Sequence, residues 1–325
     1  MSETDNNKLI TGIHHITAIS GDAQHNIDFY TGILGLRLVK RTVNFDYPEV
    51  YHFYFGNETG DPGTIMTTFP YGADMPTGRH GKGMVNTTAF SIPYSAINYW
   101  EKRLKHFDLL HKHPQERFGG SEVVIYLEDP DGMGIELIFN ENDSRPPIST
   151  GAVPPEHSIR GFHHAELWLE SYERTAGVLT EGLNHYLIKE GAGRLRYGVK
   201  DAPGHFVDLV TTTDSLRGLE GNGMVHHIAF CTPNLTTLNE IGEKIKEIGL
   251  RPTDVRDRHY FKSKYFREPG GILFEIATAE PGFTVDESLD ELGHSLMLPP
   301  QFEADREALN DSLPHFEYNP SKFSI

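Results

Sequence analysis

Ile13-His14-His15-Ile16, Phe162-His163-His164-Ala165 and Val225-His226-His227-Ile228 are three copies of one pattern, two histidines set into an apolar run. Imidazole is the most frequent protein ligand for metal ions near neutral pH. A unit that repeats its histidines reads as the frame of a metal centre rather than as core filling. Working outward from the doublets, the chain divides into four passes of one plan with a period of roughly 60–80 residues, longer than solenoid repeats.

Each pass opens with a strand, predicted at Gly12–Ser20, Gly83–Ile92, Gly161–Leu169 and Gly223–Thr232. A helix follows. Asp22 is placed to cap the first, which lines up Ile27, Tyr30 and Leu34, and the second buries Ile97, Trp100 and Leu104. The third covers about 172–182, and the fourth spaces Leu238, Ile241, Ile245 and Ile248 along Leu235–Ile248. Three strands come next. The last of them leaves a Pro/Gly turn in every pass: DPGTIMTTF at Asp61–Phe69, DPDGMGIELIF at Asp129–Phe139, APGHFVDLV at Ala202–Val210 and EPGGILFEIAT at Glu268–Thr278. Four βαβββ modules of this kind predict an α+β fold whose curved sheets pair into two open, cupped β-barrels. The cup of such a barrel is the natural binding site. Along the chain this expectation gives one pair of modules in 1–150, a second pair in 151–280 and a packing arm in 281–325, helical over Glu303–Leu313.

The bulk properties narrow the function. A net charge of −17 argues against nucleic acid or an anionic membrane as partner. No apolar run approaches the ~20 residues that span a bilayer. The start, MSETDNNKLI, carries neither a signal-peptide core nor an Arg-rich transit pattern. Cys231 is the only cysteine, so no intrachain disulfide forms, and a reducing, cytoplasmic setting is expected; homo-oligomerisation is left open. Gly191-Ala192-Gly193 and Gly81-Lys82-Gly83 lack the context of nucleotide loops. His106, His111 and His113 lie in a charged, solvated segment.

Adjacent strand residues face opposite sides, so one histidine of each doublet is expected in the cup. An acidic residue lies in the last strand of three modules, as Glu136, Asp208 and Glu275. Glu275 sits between Phe274 and Ile276, where a bare carboxylate needs a cation or hydrogen-bond donors. Two imidazoles and one carboxylate make the facial triad that suits non-haem Fe(II). His227 shares a module with Glu275. The third ligand is His164 if sequence neighbours pair, and His15 if the first and last modules pair. Module two opens with Asn86-Thr87 instead of a doublet, so one metal centre is expected, not two.

The chain resembles the vicinal-oxygen-chelate superfamily, and within it the hydroquinone ring-cleaving dioxygenases, of which dichlorohydroquinone dioxygenase is the type. The resemblance is carried by HHITAISGDAQHNIDFYTGILGLRLVKRTVNFD from His14, YHFYFGNETGDPGTIMTTFP from Tyr51, RGFHHAELWL from Arg160, GMVHHIAF from Gly223, RHYFKSKYFREPGGILFEIAT from Arg258 and LPPQF from Leu298. It implies His15, His227 and Glu275 as metal ligands. Catechol-cleaving relatives use modules three and four and would implicate His164. It further implies His226, Arg258 and Tyr265 in catalysis and His14 and Thr17 at the substrate. The expected activity is Fe(II)-dependent, extradiol-type cleavage of a hydroquinone, with a small aromatic molecule and O2 as partners. Two rivals are a glyoxalase-like isomerase or lyase and a metal-free binding protein. The first generally needs a second carboxylate ligand, and module one ends in Thr64–Phe69 without one.

Overall fold

The computed structural model describes residues 9–200, 202 and 205–325. The polar start and the Pro203-Gly204 turn lie outside them. Module one is β1 (Gly12–Ser20), α1 (Ala23–Ile27), β2 (Arg37–Asn44), β3 (Tyr47–Gly56) and β4 (Ile65–Pro70). Module two is β5 (Met84–Pro93), α2 (Ile97–His106), β6 (Gln115–Arg117), β7 (Glu122–Glu128) and β8 (Gly134–Asn140). Module three is β9 (Gly161–Leu169), α3 (Glu173–Gly177), β10 (Tyr186–Gly191), β11 (Arg194–Gly198) and β12 (Phe206–Thr211). Module four is β13 (Met224–Thr232), α4 (Leu235–Glu247), β14 (Arg256–Asp257), β15 (Phe261–Arg267) and β16 (Leu273–Pro281).

Local chemistry explains the elements. The Asp22 carboxylate accepts from the His25 N–H at 2.8 Å and starts α1, which continues as a wider turn over Asp28–Ile33. Asn234 and Thr237 form a reciprocal cap on α4. The apolar stripes bury Trp100 and Leu104 of α2 and Leu238, Ile241 and Ile245 of α4.

Two eight-stranded sheets result, ordered β14-β15-β16-β13-β1-β4-β3-β2 and β10-β11-β12-β9-β5-β8-β7-β6. The α+β fold of paired modules is therefore as expected. The first sheet joins modules one and four through antiparallel β1 and β13, and the second joins modules two and three through β5 and β9. Each sheet is thus assembled across the chain boundary at 150. On β16, Phe274 and Ile276 enter the main core, while Ala277 joins a smaller cluster with Tyr54, Phe261 and Phe283.

The arm beyond Pro281 packs on module one and contains α5 (Arg306–Ser312). Its anchor is Lys40, fully buried, whose ammonium donates to Asp286 at 2.6 Å and to Glu287. The Tyr260 hydroxyl holds the other Asp286 oxygen at 2.9 Å. Among the described residues no helix is long and apolar enough to cross a membrane.

Candidate metal centre

The histidine doublets sit on β-bulges. Between β1 and β13 the register steps from Ile13↔Phe230 to His15↔Ala229, and from Thr17↔His227 to Ala18↔Val225, leaving His14 and His226 as the extra residues. The β5–β9 pair repeats this at Asn86 and His163. A bulge sets two residues against one and re-aims a side chain, so strict alternation fails here. His14 Nδ1 lies 2.8 Å from His15 Nδ1, and His226 Nδ1 lies 2.7 Å from His227 Nδ1. His226 also lines the cup, with 31% of its side chain exposed. The expectation of one inward histidine per doublet is corrected for that pair.

Pairing of the first and last modules brings His15, His227 and Glu275 together. His15 Nε2 is 3.2 Å from His227 Nε2, and Glu275 Oε2 is 3.2 Å from the first and 2.9 Å from the second. Three donors each ~2.1 Å from one octahedral centre, at right angles, stand about 3.0 Å apart. All three residues are buried, at 2%, 5% and 0% exposure. Glu275 Oε1 accepts from Ser263 Oγ, whereas Oε2 has no hydrogen-bond donor. In the tautomer in which His15 and His227 donate from Nδ1 to His14 and His226, both Nε2 atoms present lone pairs toward that oxygen. A cation resolves this convergence, and the donor set fits one.

The electrostatics agree. Burial acts to raise the Glu275 carboxyl, but the imidazoles of His15 and His227 outweigh it and hold the group well below the ordinary range. Burial lowers His227 against the pull of Glu275. His14 falls to about 3, through burial and then His15. An ionised Glu275 is the state that ligation requires of the carboxylate.

Above the donors lies a cavity of about 360 Å³ with apolar walls from Ile19, Phe45, Phe69, Phe261 and Leu273. Its polar lining includes His226, Arg258 and Tyr265. Arg258 Nε donates to the Tyr265 hydroxyl at 3.1 Å, and its Nη2 reaches Asp46 at 3.1 Å. His14 and Thr17, expected against the substrate, do not line this cavity. The bulge sets His14 edge-on to His15 and tilted against Phe261, and Thr17 is fully buried, accepting from Thr67 at 2.8 Å. Sequence reasoning missed His52, which bridges Thr67 and the Tyr54 hydroxyl at 2.9 Å each, and Glu220, 3.4 Å from His226 Nε2. The alternating aromatic run at Tyr51–Phe55 was the available signal for His52. Glu220 comes from a linker and left none.

His164 lies in the other sheet, away from Glu275. Strand pairing puts Glu275 opposite Ala229, Asp208 opposite Glu166, Glu136 opposite Ala89 and Thr67 opposite Thr17. Each is two residues beyond the inward doublet position, so all four are equivalent. In the second cup Thr87 replaces the first histidine, and arginines take the carboxylates. Arg117 grips Glu136 at 2.8 and 2.6 Å, and Arg196 grips Asp208 at 2.7 and 2.8 Å. Guanidinium supplies the positive charge there. In the first cup, Thr67 holds the place where a glyoxalase-like site needs its second carboxylate.

A family model described as the Glyoxalase/Bleomycin resistance protein/Dioxygenase superfamily matches residues 12–137 and 161–276. The chain is 43% identical over 310 residues to MhqO of Bacillus subtilis, provisionally named a ring-cleaving dioxygenase, covering 95% of this chain and 98% of the relative. It is 35% identical over 309 residues to a chlorohydroquinone/hydroquinone 1,2-dioxygenase of Sphingobium indicum, covering 92% and 95%. A crystal structure of a Bacillus subtilis protein, provisionally named a dioxygenase, superimposes with a TM-score of 0.91 at 42% identity, over 96% of this chain and 99% of that one. Glyoxalase I of Zea mays shares the fold, with a TM-score of 0.63 at 18% identity over 87% and 97%.

Proposed function

The chain belongs to the Glyoxalase/Bleomycin resistance protein/Dioxygenase superfamily, and from that premise we propose that it is an Fe(II)-dependent ring-cleaving dioxygenase acting on hydroquinone or substituted hydroquinones. The observation that carries this reading is the convergence of two imidazole nitrogens and one orphan carboxylate oxygen within 3.2 Å beneath an aromatic-walled cavity. A triad of that composition suits ferrous iron and leaves positions for two further ligands. The name of the Sphingobium relative supports the substrate class.

Ferrous iron, when bound, supplies the one-electron chemistry that lets dioxygen react with an aromatic ring. The chain supplies orientation and protons. Phe45, Phe69, Phe261 and Leu273 enclose the ring and exclude water. Burial, followed by the Glu275 charge, raises the Tyr265 hydroxyl against the influence of Arg258, so it keeps its proton and donates to a substrate oxygen. Arg258 sets the orientation of that hydroxyl and offers a fixed positive charge where negative charge develops. His227 presents Nε2 to the metal by carrying its proton on Nδ1, which donates to His226 Nδ1. His226 then holds a proton on Nε2 at the cavity wall. Burial and the neighbouring His227 bring His226 down to about 4, against the pull of Glu220, so the ring is neutral and its Nε2–H is a hydrogen-bond donor to a substrate oxygen at the cavity wall.

The test is turnover of the iron-reconstituted protein under ¹⁸O-labelled dioxygen. One O2 is expected per hydroquinone, with both labelled atoms in a ring-opened product. Formation of benzoquinone without label, or no oxygen uptake, contradicts the proposal.

A further inference from the structure

Two cavities meet at the mouth of the metal cup. The inner one contains the histidine donors; an outer groove of about 540 Å³ shares Asn44, Asp46, Tyr71 and Met75 with it. Residues that line both spaces form the neck between them. Asn44 ends β2, and Tyr71 follows β4 immediately.

Inside the cup the Tyr265 hydroxyl and His226 Nε2 are left for the metal-side oxygen of the substrate, and the other polar atoms are already engaged. His52 uses both ring nitrogens, on Thr67 and on Tyr54. Arg258 serves Tyr265 and Asp46, and His226 Nδ1 faces His227. At the neck the arrangement differs. Asn44 Oδ1 accepts the Asp46 N–H at 2.9 Å, which fixes the amide so that Nδ2 donates to the Tyr71 hydroxyl at 3.2 Å. That hydroxyl is oriented as an acceptor, and among the described residues its own proton has no acceptor. Tyr54 and Tyr265 stand in the field of Glu275, deep in the cup, whereas the carboxylates around the Tyr71 hydroxyl are Glu220 and Asp46. Tyr71 is therefore a lining hydroxyl with a spare proton where the inner cavity opens into the outer groove.

The two oxygens of a 1,4-diol point in opposite directions along the ring. With one at the metal donors, the other reaches toward the neck. In a 1,2-diol the second oxygen stays beside the donors and leaves the neck without a polar partner. We infer that Tyr71, oriented by Asn44, receives the hydroxyl para to the metal-side oxygen and selects 1,4-diols over 1,2-diols. This assignment rests on the function proposed above. A site built to hydrogen-bond a substrate hydroxyl discriminates against ligands that lack it.

The experiment compares wild type, Tyr71→Phe and Tyr47→Phe, each loaded with zinc to prevent turnover, in calorimetric binding of hydroquinone, phenol and catechol. Tyr47 is the control, because its ring packs on Tyr71 at 6.2 Å but lines only the outer groove. Tyr71→Phe is expected to weaken hydroquinone about tenfold and to leave phenol and catechol within about twofold, the effect of deleting one hydrogen bond. Tyr47→Phe binds all three as wild type does. In the iron-loaded protein the Tyr71→Phe change appears in KM for hydroquinone, with kcat retained. Unchanged hydroquinone binding in Tyr71→Phe, or equal weakening of phenol, overturns the assignment while wild-type turnover upholds the function. Failure of the wild type to bind or turn over any aromatic diol overturns both.

Discussion

His15→Ala is expected to abolish stoichiometric iron binding and to lower oxygen uptake on hydroquinone on the order of a thousandfold, since losing even the partner of a ligand costs 10–100-fold. His164→Ala is expected to keep one iron per chain and turnover near wild type. The contrast follows from the sheets. His15 is the donor that module one contributes to the first cup, and Thr67, the other polar side chain at the equivalent level, is committed to Thr17. His164 Nε2 faces Glu136 at 3.4 Å and Asp208 at 3.5 Å, both already gripped by arginine. Metal analysis after anaerobic purification, with oxygen-electrode rates on both variants, checks the pair. Iron lost from His164→Ala and kept in His15→Ala would reverse the assignment.

Arg196→Ala is expected to lower the free energy of unfolding by about 3–5 kcal/mol, the cost of leaving a buried ion pair half-made. Arg196 is 2% exposed, and its guanidinium compensates Asp208, at 0%, and Glu122, at 7%. Burial alone raises the Asp208 carboxyl; His164, Arg196 and Arg194 reverse that and hold it far below its usual range. Without Arg196 the carboxylate must take up a proton or draw in water. Urea unfolding followed by circular dichroism measures the loss, and iron per folded molecule stays at the wild-type value because the first cup is untouched. A change under about 1 kcal/mol would mean that the second cup is open to water.

Much of this was legible in the residues. The doublets at His14, His163 and His226 marked strand openings, and the Pro/Gly turns before Glu136, Asp208 and Glu275 marked strand closings. Together they define the modules. The order in which modules pair left no local trace, because both pairings use identical elements and differ only in which linkers cross. The bulges were hidden for a related reason. Nothing in Ile13-His14-His15 announces an extra residue, since the bulge exists only against Phe230 and Ala229 on the partner strand. The resemblance to the hydroquinone-cleaving group, not the spacing, favoured His15. The arginines that silence the second cup were also unreadable. Arg117 lies on the edge strand β6, one strand removed from β8, and Arg196 lies on β11 opposite Asp208 of β12, so each meets its carboxylate only once the sheet has formed. Glu136 and Asp208 look in sequence like Glu275, and only their partners separate a salt-bridged carboxylate from a ligand.

The most direct test is diffraction from crystals of the Fe(II)-loaded protein, collected at the iron absorption edge. One anomalous peak per chain is predicted, ~2.1 Å from His15 Nε2, His227 Nε2 and Glu275 Oε2. A peak beside His164 between Glu136 and Asp208, or iron bound with the first cup empty, would contradict it.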